Sequence, residues 1–356
     1  MRPTQTLRKL ADLRSLLAGK SSLLIVLQDN PDPDALAAAM ALRKLAHHLG
    51  GVQCTLASGG SVGRAENRAL VRYLDANVRP IEQIETSRFD VIATVDTQPG
   101  LGNNSLPAGI VPQIVIDHHP IHDETRRAQF FDIRSRYGAS STILWEYIQA
   151  ANLTPEPPLA TALLYGIQSD TQDFGREATA ADKLAYGDLY PLANKRILGT
   201  IQRGEEPTEY YRVLVTALAA ANLAGNCIYS NLGSVDNVDM IAEVADLLLR
   251  HERADWSLCW GHHDNRMLLS LRTIAPDGRA DVVIRHIVHR KGTGGGHHSM
   301  AGGQISVAPP QTSQEKLDRL IVRRFLHATG NEKAPIQKLL PQTVSPLRDG
   351  AGPAGP

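Results

Sequence analysis

Ile114-Val115-Ile116-Asp117-His118-His119-Pro120 decides how this chain is read, because three β-branched residues run straight into one carboxylate and two imidazoles. Residues 114–116 fit a strand covered on both faces in a parallel sheet. Open α/β sheets gather ligands where strands end at their carboxyl edge. Asp117, His118 and His119 are therefore expected at the mouth of a site. An isolated Asp-His-His would serve equally well as a polar cap on a strand. What sets it apart is that the pattern recurs.

Working outward, residues 21–27 form an expected first strand that runs into Gln28-Asp29-Asn30-Pro31-Asp32-Pro33-Asp34, followed by an Ala/Leu-rich helix over 35–49. Residues 52–57 make a second strand and 89–95 a third, which ends in Asp96. Helices are expected over 140–150 and 160–165, with Gly166-Ile167-Gln168-Ser169-Asp170 after the latter. Further on, helices are expected over 235–250 and 281–289, and adjacent strands over 256–260 and 267–271. Strands alternating with helices imply an α/β fold with a doubly wound, mainly parallel sheet. The expected organisation is a catalytic, metal-binding domain over 1–200 and a linker over 201–212 around Gly204 and Pro207. A smaller α/β substrate-binding domain follows over 213–330, then a disordered tail over 331–356.

A chain of 356 residues accommodates two domains at roughly 150 residues each. Lys plus Arg and Asp plus Glu number 37 each, so there is no global basic field for gripping long duplex nucleic acid. Any anionic partner must be held locally. Three widely spaced cysteines, Cys54, Cys227 and Cys259, suit reduced thiols better than a disulfide scaffold or a cysteine zinc site. The first twenty residues lack the apolar core of a signal peptide and no run is long enough to span a bilayer, so a cytoplasmic protein without a membrane partner is expected.

Asp32 and Asp34, Asp96, Asp117 with its two histidines, and Asp170 all stand at the exits of apolar elements. Carboxylates converging in one place repel one another and are pushed toward protonation unless cations neutralise them. Oxygen ligands with a minority of imidazole suit Mn²⁺ or Mg²⁺. A pair of such ions activates water and absorbs charge on a phosphate, which points to phosphoester or phosphoanhydride hydrolysis.

The set Asn30-Pro31-Asp32-Pro33-Asp34-Ala35, Val95-Asp96-Thr97, Asp117-His118-His119-Pro120 and Gly166 to Thr171 resembles the ordered motifs of the DHH phosphoesterase superfamily. Ser270-Leu271-Arg272 and Gly294-Gly295-Gly296-His297-His298-Ser299-Met300-Ala301-Gly302 resemble the DHH-associated C-terminal domain. Within the superfamily the chain looks most like the RecJ-like nanoRNase/pAp-phosphatase group. That resemblance implies two manganese ions: Asp32 on one, Asp34 on the other, Asp96 between them, and His118 with Asp170 completing the ligands of the second metal. Asp117 would orient an imidazole and His119 would reach the scissile phosphate. The family usually has a histidine four residues before the first aspartate. This chain has Gln28, a weaker and neutral ligand.

Consecutive glycines let backbone N–H groups close on an anion, although glycines alone also fit a tight turn. Arg272, Arg285, His286, Arg290 and Lys291 add positive charge nearby in sequence. Of these elements, Arg272, Gly294, Gly295, Gly296 and His297 are the substrate-binding candidates by motif. The resemblance implies short single-stranded RNA or DNA oligonucleotides, or nucleotide phosphates such as 3′-phosphoadenosine 5′-phosphate, as substrates. It leaves homodimerisation open. The rival activities are exopolyphosphatase or pyrophosphatase, and a nucleotide-binding sensor weakened by Gln28.

Overall fold

A computed structural model describes residues 4–60, 62–175, 178–296, 298–307 and 314–340. The chain separates into two compact units, residues 1–205 and 206–356. The first contains helix α1 (Thr4–Leu17), strand β1 (Ser22–Val26), α2 (Pro33–Gly50), β2 (Gln53–Ser58), α3 (Ala65–Leu74), β3 (Val78–Pro80), β4 (Val91–Val95), β5 (Ile114–Asp117) and β6 (Phe130–Ile133). It closes with α4 (Ser140–Ala150), α5 (Pro157–Asp170), α6 (Ala180–Leu189) and α7 (Lys195–Gln202).

The six strands form one parallel sheet in the order β3-β2-β1-β4-β5-β6. Its apolar runs are continuous because both faces are covered. Leu23 and Ile25 of β1 join the helical core of α1, α2, α4 and α5, while Leu24 and Val26 pack with Ile81 and Ile92 on the other face. The order reverses direction between β1 and β4, and a sheet of this type opens its binding crevice at the carboxyl ends flanking such a reversal. The loops after β1 and β4 carry Asp32, Asp34 and Asp96 to that point.

Pro33 at the first turn suits the entry to α2, since a missing N–H costs nothing there. The helix then buries Leu36, Leu42 and Leu45 completely, each contributing about 1.5–3 kcal/mol of apolar burial. Gly166 in α5 is a close-approach residue. A Cβ there would stand 2.4 Å from Ser141 Oγ and 3.1 Å from Asp34 Cα, so its absence lets α5 lie against α2.

The second unit contains α8 (Thr208–Ala220), β7 (Asn222–Ala224), β8 (Cys227–Ser234), α9 (Asp239–Leu248), β9 (Trp256–His263), β10 (Arg266–Thr273), α10 (Ala280–Val288), β11 (Gly292–Gly296), β12 (Met300–Ser306), α11 (Gln314–Ala328) and β13 (Ile336–Lys338). Its seven-stranded sheet, β11-β12-β10-β9-β8-β7-β13, is antiparallel except for the β8–β9 pair. Alternation sorts the side chains between faces. Trp256, Leu258 and Trp260 pack toward α10 and α11, and Cys259 packs toward α8 and α9. All three cysteines are free thiols.

Two expected boundaries are corrected. Residues 208–212, placed in a linker, are the first turns of α8, because Thr208 onward carries a helical pattern into Ala217 and the second core. Residues 336–338, placed in a tail, form β13 and pair with β7. The rest of the expected tail, from 341 onward, lies outside the described residues.

Candidate metal centre

Asp96, Asp117, His118 and His119 bring ligand atoms within 4.8 Å of one another, and so do Asp34, His118 and Asp170. His118 belongs to both sets. Its Nε2 lies 3.0 Å from Asp170 Oδ2 and 3.6 Å from Asp96 Oδ1. On its far side Nδ1 is 3.1 Å from the Tyr137 carbonyl. A carbonyl can only accept, so Nδ1 carries a proton and the ring is held with Nε2 toward the carboxylates.

Asp117 performs the same service for His119. Its Oδ1 is 2.8 Å from His119 Nδ1 and accepts from the His119 backbone N–H at 3.1 Å, while Oδ2 accepts from Gln98 Nε2 at 2.7 Å. Both oxygens of Asp117 are therefore occupied. The side chain orients His119 and leaves that ring's Nε2 to face outward. Gln98, fully buried, is clamped in turn: its Oε1 accepts from the His122 amide and the Thr125 hydroxyl, both at 2.8 Å.

Asp34 is also fully buried, and it caps a helix from a distance. α4 has no side-chain cap of its own, and the Ser140 and Ser141 amides donate to the two Asp34 carboxylate oxygens at 2.6 and 2.8 Å. Anions favour this end of a helix. Ser140 Oγ meanwhile donates to Asp96 Oδ1 at 2.9 Å. Asp96 sits at φ +57°, a left-handed conformation that Asp tolerates better than most residues. That turn lets its amide continue the ladder to the Ile116 carbonyl while its carboxylate enters the cluster.

The electrostatics show what the cluster lacks. Burial, then the Asp170 charge, pushes the Asp34 carboxyl up to about 7. Burial followed by repulsion from Asp34 and Asp32 holds Asp96 well above the usual carboxylate range, and burial with Asp170 raises Asp32. Burial opposes charge on His118, yet the hydrogen bond and charge of Asp170 override it and push the ring up to about 10. Repelling buried carboxylates with an oriented imidazole among them fit divalent cations, whose charge would relieve what the protein alone leaves uncompensated.

The structure thus brings together Asp34, Asp96, Asp117, His118, His119 and Asp170. Asp170 is the last residue of α5, one turn beyond Gly166, so the helix runs past its expected end at 165. Asp32 belongs to neither set of ligand atoms, and its Oδ1 caps α2 through the Ala35 amide at 2.9 Å. Gln28 stands half-buried two residues after β1. In the second unit, Arg272 is engaged internally, with Nε 2.5 Å from Asp246 Oδ1 and Nη1 on Ser270 Oγ at 2.8 Å. Gly294, Gly295 and Gly296 form no anion-cradling loop. They are the edge strand β11, where a Cβ at Gly296 would strike the Met300 carbonyl at 2.4 Å. His297 lies outside the described residues. Sequence reasoning missed Gln98, Ser140 and the Tyr137 carbonyl; the one signal available was Gln98 standing two residues after Asp96.

A buried carboxylate–imidazole cluster at the carboxyl edge of a parallel α/β sheet has the donor set to hold a metal ion. Residues 22–167 match the DHH family, N-terminal domain. An uncharacterized protein of Methanocaldococcus jannaschii is 34% identical over 306 residues, 85% of this chain and 62% of that protein. The cyclic-di-AMP phosphodiesterase GdpP of Bacillus subtilis is 27% identical over 333 residues, 88% of this chain and 49% of that protein. The chain thus spans about half to three-fifths of these relatives' lengths. Among solved structures, an exopolyphosphatase-related protein from Bacteroides fragilis shares the fold at TM-score 0.70 and 13% identity, over 92% of this chain and 98% of that one. RecJ from Thermus thermophilus, in complex with Mn²⁺, does so at TM-score 0.52 and 16% identity, over 92% of this chain and 55% of that one. No helix among the described residues is long and apolar enough to cross a membrane.

Proposed function

We propose that this protein is a divalent-metal-dependent phosphoesterase acting on small phosphorylated nucleotides, with short oligonucleotides and 3′-phosphoadenosine 5′-phosphate as the favoured substrates. The observation that carries the reading is the pair of ligand sets sharing His118 at the carboxyl edge of β4 and β5. Asp32, Asp34, Asp96, His118 and Asp170 would hold Mn²⁺, with Mg²⁺ as the substitute. Ions held there supply Lewis acidity toward a phosphate and a lowered pKa for an attacking water.

The chain's own residues supply the rest. Asp117 fixes the His119 tautomer, and although burial opposes charge on that ring, the Asp117 hydrogen bond and charge raise its pKa. A protonated His119 directs its outward Nε2–H at a phosphate oxygen. The name of the B. subtilis relative, a cyclic-di-AMP phosphodiesterase, supports a phosphodiester of small nucleotides, and the Mn²⁺ in T. thermophilus RecJ supports the metal.

The test is turnover of dinucleotides, 3′-phosphoadenosine 5′-phosphate, cyclic dinucleotides and inorganic polyphosphate with Mn²⁺, with Asp96→Asn as control. Mononucleotide or orthophosphate release from the nucleotides, lost in Asp96→Asn, is the expected result. Orthophosphate from polyphosphate alone would replace it with the exopolyphosphatase reading, and tight binding without product with the sensor reading.

A further inference from the structure

We propose that the groove between α3 and α7 binds the phosphodiester backbone of a single-stranded oligonucleotide, a second contact surface that rests on the nucleotide-directed reading above. A cavity of about 660 Å³ lies between these helices, wholly within the first unit. Arg68, Arg72, Lys195, Arg196 and Arg203 line it, against the single carboxylate of Glu205. On a chain with equal numbers of acids and bases, five cations to one acid is a local field suited to a polyanion.

The pattern is built into both helices. On α3, Ala65, Arg68, Ala69 and Arg72 recur at i, i+3, i+4 and i+7. On α7 and its C-cap, Arg196, Gly199, Thr200 and Arg203 have the same spacing, while Leu198 and Ile201 on the opposite side are buried. Small residues form the floor and cations the rim. A Cβ at Gly199 would meet open space. Arg72, Lys195, Arg196 and Arg203 are exposed, and among the described residues no carboxylate pairs with Arg72, Arg196 or Arg203.

Two further observations select single-stranded nucleic acid. Tyr73 lines the groove with 41% of its surface exposed, and the Arg72 guanidinium lies 5.6 Å from its ring centroid, so a base stacking there would use the ring's other face or displace Arg72. Each wall is also bonded to a segment that carries one of the proposed metal-holding acids. Asn67 of α3 donates to the carbonyl of Pro31, next to Asp32, at 3.1 Å, and Gln202 of α7 donates to Gln168, two residues before Asp170, at 3.0 Å. The groove walls are thus tied by hydrogen bonds to the segments that lead to Asp32 and Asp170.

The test is fluorescence anisotropy of a labelled 5′-phosphorylated octa-adenylate in EDTA, which suppresses turnover, over a range of salt. Wild type should bind, and Arg72→Ala/Arg203→Ala should bind at least tenfold more weakly, with a salt slope shallower by about 1.4, or about 0.7 for each lost phosphate contact. Gly199→Glu, which places a carboxylate in open space, should weaken binding likewise. Tyr73→Ala should weaken it about fivefold or more. All four substitutions are at exposed or open positions, and unchanged circular dichroism melts will confirm folding. Equal affinity and slope in wild type and the double variant would overturn the proposal. So would inorganic polyphosphate of matched charge binding as tightly as the oligonucleotide with Tyr73→Ala indifferent. With Mn²⁺, the double variant should retain dinucleotide turnover within about twofold. Absent dinucleotide turnover in wild type, with groove binding intact, would sink the catalytic reading and leave the groove standing.

Discussion

Gln98 holds Asp117 by a 2.7 Å hydrogen bond in a fully buried setting, and through Asp117 it sets the attitude of His119. Partners one bond removed from a reacting or ligating histidine typically change affinity or activity 10- to 100-fold when lost. Gln98→Leu should therefore lower kcat by about 10- to 100-fold while leaving Mn²⁺ affinity within a few-fold by calorimetry. Asn at the same position, retaining an amide, should recover part of the rate. A kcat within twofold of wild type in Gln98→Leu would remove Gln98 from the mechanism.

Asp96 combines a left-handed backbone with a carboxylate that its neighbours repel. Asn accepts the same backbone and lacks the charge, so Asp96→Asn should raise the melting temperature of metal-free protein and abolish the further rise on adding Mn²⁺. Asp96→Ala should be less stable than Asp96→Asn by up to about 1 kcal/mol, because the short polar side chain of Asn offsets part of the left-handed cost by bonding locally and a methyl group does not. Calorimetric melts of the three proteins in EDTA and in Mn²⁺ check both halves.

Much of this was legible in the sequence, and what was hidden has a common cause. Residues 114–116 announce a strand buried on both faces, and the acids behind β1 and β4 follow from the carboxyl-edge rule. Gln98, the Ser140 and Ser141 amides and the Tyr137 carbonyl are invisible because their roles arise from contacts across 19 to 107 positions of sequence. The glycines at 294–296 stayed ambiguous for a different reason: a run without Cβ serves close strand pairing as well as an anion loop, and only the register with β12 shows the pairing.

Arg134 ties three elements of the first unit together. It donates to both Asp132 oxygens, at 3.1 and 2.7 Å, and to Glu146 at 2.6 Å, while Thr6 of α1 bonds Glu146 at 2.7 Å and Tyr147 bonds Asp132 at 2.7 Å. Removing one partner of a buried pair leaves the other charge uncompensated. Arg134→Met should cost about 3–5 kcal/mol in urea unfolding. Loss of under 1 kcal/mol would mean that water already solvates the pair.

Asp90 is exposed, yet the Ser21 hydroxyl and the Ser21 and Ser22 amides converge on its Oδ2, and these hydrogen bonds lower its pKa to about 2. A carboxyl depressed in the folded state stabilises above its ordinary value near 4 and loses that contribution as pH falls toward 2. Asp90→Asn should therefore melt below wild type at pH 7, and the gap should close between about pH 4 and 2. A gap independent of pH would assign the effect to shape rather than charge.

The pairing of Ile336–Lys338 with Asn222–Ala224 changes how the chain can safely be shortened. Cutting at 330, where helix α11 has ended, would strip a hem from the second sheet and uncover the backbone donors and acceptors of β7. A raw border of that kind recruits neighbouring molecules, so the shortened protein should associate in solution even though only two partly buried apolar side chains, Ala334 and Leu339, had been removed.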